Sequence, residues 1–116
     1  MLKNILISII ALEHLYIMWI EMFSWNKMGK KVFKTIPEDL FDKTKGLAAN
    51  QGLYNGFLAA GLIWSIFEPN LEFSRNISFY FLGCVSIAGI YGAISADRKI
   101  FFKQALPALL VLFYIL

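Results

Sequence analysis

The sequence predicts an all-α, polytopic membrane protein with four transmembrane helices in a compact bundle and both termini outside. Three observations predict it. Hydrophobic residues fill 59% of the 116 positions against 16% charged, and the mean hydropathy of +0.62 is too high for an ordinary soluble domain. The apolar residues gather into four runs, each close to the roughly 20 residues that cross a bilayer. The basic residues fall in the gaps between runs, and they do so unevenly.

The first span is read over residues 2–23. Lys3 and the apolar stretch Ile5 to Leu12 resemble the start of a secretory signal, but Glu13 and His14 follow and the run resumes to Phe23 with no A-x-A-like cleavage site, so a retained span is expected. Residues 24–46 form the one substantial polar loop. Trp25 suits a membrane interface, and Thr35 with Glu38 has the spacing of a capping box opening a short helix through Pro37 to about Lys45. Leu40 and Phe41 would then dip toward lipid or the bundle. The second span is read over 47–67, a short loop over Glu68 to Arg75, the third span over 77–96 and a short fourth over 100–116. All four are expected to be helices, because a single spanning segment can satisfy its backbone groups no other way. The chain is one domain, 1–116.

Orientation follows from the cations. Lys27, Lys30, Lys31, Lys34, Lys43 and Lys45 lie in the first loop, and Arg98, Lys99 and Lys103 lie at the last; the other side has Lys3 and Arg75. This bias places the lysine-rich loop in the cytoplasm. The net charge of +3 is therefore matched to anionic lipid head groups, and no nucleic-acid partner is expected. Rows of small residues, Gly52, Gly56 and Ala60 on the second span and Cys84, Ala88, Gly92 and Ala96 on the third, predict close helix packing in lipid. Cys84 stands alone, so no disulfide is expected.

Ionisable groups inside a span are costly and are kept when they are paired or used. Glu13 and His14 sit near the middle of the first span, and on a helical wheel His14 and Glu21 share a face with Glu13 on its flank. Gln51, Tyr54 and Asn55 lie on the second span, Tyr91 on the third and Gln104 on the fourth. Levelled by depth, these groups fill the cytoplasmic half of the bundle and suggest a polar cavity open to that side. Glu13 and His14 are the expected catalytic pair, exchanging a proton; Glu21, Gln51, Tyr54, Asn55, Tyr91 and Gln104 are the expected ligand-binding set. A structural Glu13–Asn55 bridge, or one from His14 to a carboxylate, is the plainer alternative. No metal site is expected, since His14 and Glu21 are about 10.5 Å apart along the helix, too far to share one ion. No cofactor motif is present.

The strings Ala11-Leu12-Glu13-His14-Leu15-Tyr16-Ile17-Met18, Glu21-Met22-Phe23, Gln51-Gly52-Leu53-Tyr54-Asn55-Gly56-Phe57-Leu58-Ala59-Ala60-Gly61, Gly83-Cys84, Ala88-Gly89-Ile90-Tyr91-Gly92-Ala93 and Gln104-Ala105-Leu106-Pro107-Ala108 together resemble the domain-of-unknown-function family 1304 of small bacterial integral membrane proteins. The resemblance covers nearly the whole chain. It implies four spans and a bacterial membrane, and it brings no established activity. Glu13, His14, Glu21, Gln51, Asn55 and Tyr91 lie inside its strings, whereas the lysine-rich loop lies outside them.

The expected function is binding of, or acid–base action on, a small amphipathic or lipid-like molecule in the cytoplasmic half of the bundle. Membrane lipids are the other expected partner, and self-association stays open. A proton-coupled exporter is the first alternative, since a buried Glu13 and Trp64 in a four-span chain are similar in outline to small multidrug transporters. A structural protein whose polar residues are interhelical glue is the second.

Overall fold

A computed structural model describes residues 1–116. The fold is all-helical and has no strands. α1, Leu2–Phe23, coincides with the first expected span, and neither Gly nor Pro interrupts it. It ends at Ser24, whose side-chain oxygen accepts a bond from the Met28 N–H at 3.3 Å and opens a π-helical turn, Trp25–Gly29. The short α2, Lys30–Val32, follows.

Beyond it the expected capping box does not form. Pro37 occupies the cap position of a single 3-10 turn, Glu38–Leu40, so Glu38 is the first residue of that turn and not the third that a box requires. The loop is ordered by aromatics. Trp25 packs against Phe33 and Phe41 with ring centroids 5.3 and 4.8 Å away, and its indole N–H donates to Thr44 Oγ1 at 3.1 Å. Trp25 and Phe41 are buried, so Trp25 is a core residue of the loop and not an interface anchor.

α3, Lys45–Phe67, stops where Pro69 forces Glu68 out of the helical region, at ψ 117°. Asn70 then caps α4, Leu71–Ser95, its Oδ1 accepting from the Phe73 N–H at 3.0 Å. The second loop is therefore only residues 68–70, and α4 begins six residues before the expected span at 77. Its polar first turns belong to the helix: Ser74 is buried and donates to the Ser65 carbonyl of α3. The last helix runs Phe101–Ile115. Its first part, Phe101–Ala105, is π-helical, and α5, Leu106–Ile115, continues it. Pro107 has no N–H to offer the preceding turn and its ring crowds the carbonyl four residues back, which accounts for the widened turn before it.

The helices run antiparallel in sequence order. The start of α3 meets the end of α1 at Gly52, whose Cα faces Met22, Glu21 and Met18; Gly61 of α3 lies under the Phe81 ring of α4. Gly89 of α4 abuts Ala105: a Cβ there would fall 2.5 Å from the Ala105 backbone nitrogen. The second small-residue row is thus corrected in part, since Gly92 does face Ile100. Ala88 and Ala96 are exposed, and the close approach is made by Gly89, on the face carrying Leu82, Val85 and Ser86. On α3, Gly52 and Gly56 face α1 as expected, while Ala59 replaces the exposed Ala60 in the core.

Two apolar clusters result. Ile7, Ile10, Ala11, Leu62, Leu82, Val85, Ala108 and Val111 draw on all four long helices at the end remote from the lysine-rich loop. Ile20, Trp25, Phe41 and Ala48 close the loop end. α1 and α4 are long and apolar enough to cross a membrane, and only 33% and 28% of their apolar windows are buried inside the fold. Core helices of a soluble protein would be mostly buried; here Leu12, Phe23, Phe57, Phe67, Ile87 and Phe113 face outward. These features point to membrane association. α3 is equally long, but Lys45, Asn50, Gln51 and Asn55 lower its hydropathy, and the last helix is shorter.

Candidate functional site

Between the two apolar clusters lies a band of buried polar side chains. His14 is placed on the inward face of α1 by the same periodicity that buries Ile7, Ile10, Ala11 and Glu21. It is completely enclosed. The Gln104 side-chain N–H donates to His14 Nε2 at 3.0 Å. An amide N–H can only donate, so Nε2 accepts, and the ring proton sits on Nδ1, which donates to the Ile10 carbonyl at 2.9 Å. The ring is neutral in this arrangement, and both nitrogens are engaged. The π-helical turn of the last helix carries Gln104 and so sets its aim, in keeping with the frequent placement of π turns at special sites.

The second pair ties α1 to α3. Asn55 Nδ2 donates to Glu21 Oε1 at 2.6 Å, and both residues are buried. The same amide makes a longer contact, 3.4 Å, to the Gln51 carbonyl one turn back. Gly52 makes the approach between the two helices close enough for this bond, since its Cα faces the Glu21 side chain directly. Asn55 therefore pairs with Glu21 and not with Glu13.

Of the residues predicted from sequence, His14, Glu21, Asn55 and Gln104 are brought together as two pairs. Gln51 is exposed and enters only through its backbone carbonyl. Tyr54 and Tyr91 are 51% and 70% exposed, on the outside of the bundle, so their rings do not join the pairs. Glu13 is half-buried on the flank of the inward face, beside Leu12, which looks outward. It makes no hydrogen bond and no ion pair; the structure's one ion pair, Lys30 with Glu38 at 3.8 Å, lies on the loop. Glu13 and His14 diverge by about 100° on the helix and do not touch through their polar atoms.

No buried side-chain nitrogen or oxygen lacks a partner, and two concavities of the molecule are lined by none of these eight residues. One lies between α4 and the last helix and the other on the loop. The arrangement can hold three helices in register and presents one unengaged carboxyl on the side of α1. Sequence reasoning missed the loop core of Trp25, Phe33 and Phe41; its signal was the recurrence of aromatics inside an otherwise charged segment.

Known proteins agree with the residue strings. A family model described as "Protein of unknown function (DUF1304)" matches residues 8–116. The chain is similar to the uncharacterized protein YpaA of Lactococcus lactis subsp. lactis (strain IL1403), with 35% identity over 115 residues, covering 96% of this chain and 93% of that one. No solved structure matches. The matched region takes in α1 from residue 8 onward, every later helix, both polar pairs and Glu13, and the chain accordingly belongs to the DUF1304 family.

Proposed function

We propose that the chain is a four-span protein of the bacterial membrane, with both termini outside and the lysine-rich loop in the cytoplasm, that binds a small amphipathic molecule at Glu13. The membrane reading draws support from the outward apolar faces of α1 and α4 and from the 48 Å long axis of the bundle, close to the roughly 40–45 Å of a bilayer with its head groups. The charge bias supports the orientation.

One observation carries the binding reading. In the middle of the bundle the buried His14, Glu21 and Asn55 and the part-buried Gln104 are committed to one another or to backbone, whereas Glu13 is unengaged and partly accessible from the side of α1. A carboxyl held in an apolar setting favours a ligand that supplies a hydrogen-bond donor or a cation together with an apolar body, such as an amphipathic amine or alcohol. His14 serves this site as a tie: both its nitrogens are occupied, so it steadies α1 against the last helix instead of passing a proton to Glu13. The Glu21–Asn55 pair does the same between α1 and α3.

A hydrophobic carbodiimide, which modifies carboxyl groups lying in apolar surroundings, tests this on membranes containing the full chain. Modification concentrated on Glu13, with Glu21 spared and the reaction slowed by a long-chain amine, is the expected result. Equal modification of Glu13 and Glu21, or no protection by any amphipathic amine or alcohol, would sink the reading.

A further inference from the structure

We infer that the cleft between α4 and the last helix is a binding site for one anionic phospholipid; the inference rests on the membrane reading above. The cleft measures about 470 Å³ and is lined by Ile90, Ala93, Ile94, Phe101 and Phe102, with Arg98 among its walls. That volume lies within the range of sites that hold small organic ligands, roughly 300–1,000 Å³.

Its chemistry is two-part. Ile94 and Phe102 are 81% and 65% exposed, so the walls turn a continuous apolar surface outward. Arg98 lies in the connection between the two helices, at the end of the bundle that carries the lysine-rich loop. The Arg98 guanidinium has no hydrogen-bond or ion-pair partner within the protein; the neighbouring Asp97 carboxylate accepts the Lys99 backbone N–H. Lys99 and Lys103 add positive charge beside it, against Asp97 alone.

A guanidinium binds a phosphodiester through parallel N–H bonds, and an apolar wall below it takes an acyl chain. Free inorganic phosphate would gain nothing from Ile90, Ile94 and Phe102. A neutral hydrocarbon would gain nothing from Arg98. A phospholipid uses both, and the surplus of positive charge selects an anionic head group over a zwitterionic one. Gly92, one turn from Ala96 and facing Ile100, keeps the two helices close at the base of the cleft.

The test uses the full chain in mild detergent, offered phosphatidylglycerol or phosphatidylcholine, with retained lipid read by native mass spectrometry. The wild type is expected to hold one phosphatidylglycerol in preference to phosphatidylcholine. Arg98→Gln is expected to weaken that retention about fivefold and to weaken retention of phosphatidylcholine less, so that the preference between the two lipids shrinks. Arg75→Gln, a cation at the opposite end of α4, is expected to change nothing. Ala93→Trp, which fills the cleft, is expected to lower retention of both lipids; should that variant fold poorly, the exposed Arg98 position decides alone.

Equal losses in Arg98→Gln and Arg75→Gln, or no preference between the two lipids, would overturn the inference. Flotation with liposomes separates the two levels. A chain that fails to float defeats the membrane reading itself, and a chain that floats without Arg98-dependent retention defeats only the lipid site.

Discussion

Removing the donor from the Glu21–Asn55 pair has a calculable consequence. In Asn55→Ala the Glu21 carboxyl, 7% exposed, loses a bond of 2.6 Å and cannot reach solvent to replace it. Leaving a buried polar group unsatisfied costs about 1–3 kcal/mol. Interhelical hydrogen bonds in membrane proteins average about 0.6 kcal/mol and reach about 1.7 when measured by double-mutant cycles. The short distance and the burial of both partners place this pair at the upper end, so a cycle of Asn55→Ala and Glu21→Ala is expected to give a coupling of about 1.5 kcal/mol. Glu21→Gln, which keeps a carbonyl oxygen for Asn55 to donate to, is expected to cost under about 0.5 kcal/mol. Reversible unfolding of the purified chain in mixed micelles reads all of these. A coupling below about 0.3 kcal/mol, the level at which distant sites simply add, would refute the argument that the pair joins α1 to α3.

Three further outcomes follow from the packing. Gly89→Leu drives a side chain into the backbone of Ala105 and is expected to lower stability by about 1–3 kcal/mol, whereas Gly83→Ala, where a Cβ meets nothing within 4 Å, is expected to raise it by about 0.5 kcal/mol; thermal melts of both variants check the contrast. Phe41→Ala empties the centre of the loop core at a local cost of about 3–5 kcal/mol, seen as faster tryptic cleavage at Lys30, Lys31 and Lys34 while the bundle's own melting is little changed. In a Cys84→Ser background, Pro69→Cys is expected to react with an impermeant maleimide in intact cells and Lys27→Cys only after lysis; the reverse pattern would invert the topology.

The helices were legible in the sequence where apolar character alone defined them. α1 ends where its hydrophobic run ends, at Phe23. α4 was misplaced because hydropathy treats Glu72, Ser74, Arg75 and Asn76 as loop, while the chain caps the helix with Asn70 and buries Ser74 against α3. Face and depth were harder. The row of small residues on α4 was right at Gly92, which approaches Ile100, and wrong at Ala88 and Ala96, because the tightest approach, to Ala105, is made by Gly89. Of the eight polar residues singled out in the sequence, His14, Glu21, Asn55 and Gln104 are joined in two pairs, and those partners depend on where each helix starts. α3 begins at Lys45, and Gly52 draws Glu21 against it, which levels Asn55 with Glu21 instead of Glu13. The pairing of His14 with Gln104 likewise depends on a π-helical turn that no local sequence rule specifies. Tyr54 and Tyr91 face outward because the contact faces of α3 and α4 are set by Gly52, Asn55 and Gly89.

Glu13 is the half-buried carboxyl on the first helix left free to meet a ligand. Its most direct test is mass spectrometry of the small molecules and lipids that co-purify with the wild type, with Glu13→Gln and with Asn55→Ala, in mild detergent and at matched folded fractions. The account predicts a defined amphipathic compound held by the wild type, lost from Glu13→Gln and kept by Asn55→Ala in proportion to folded protein. The same compounds at the same levels in wild type and Glu13→Gln would contradict it.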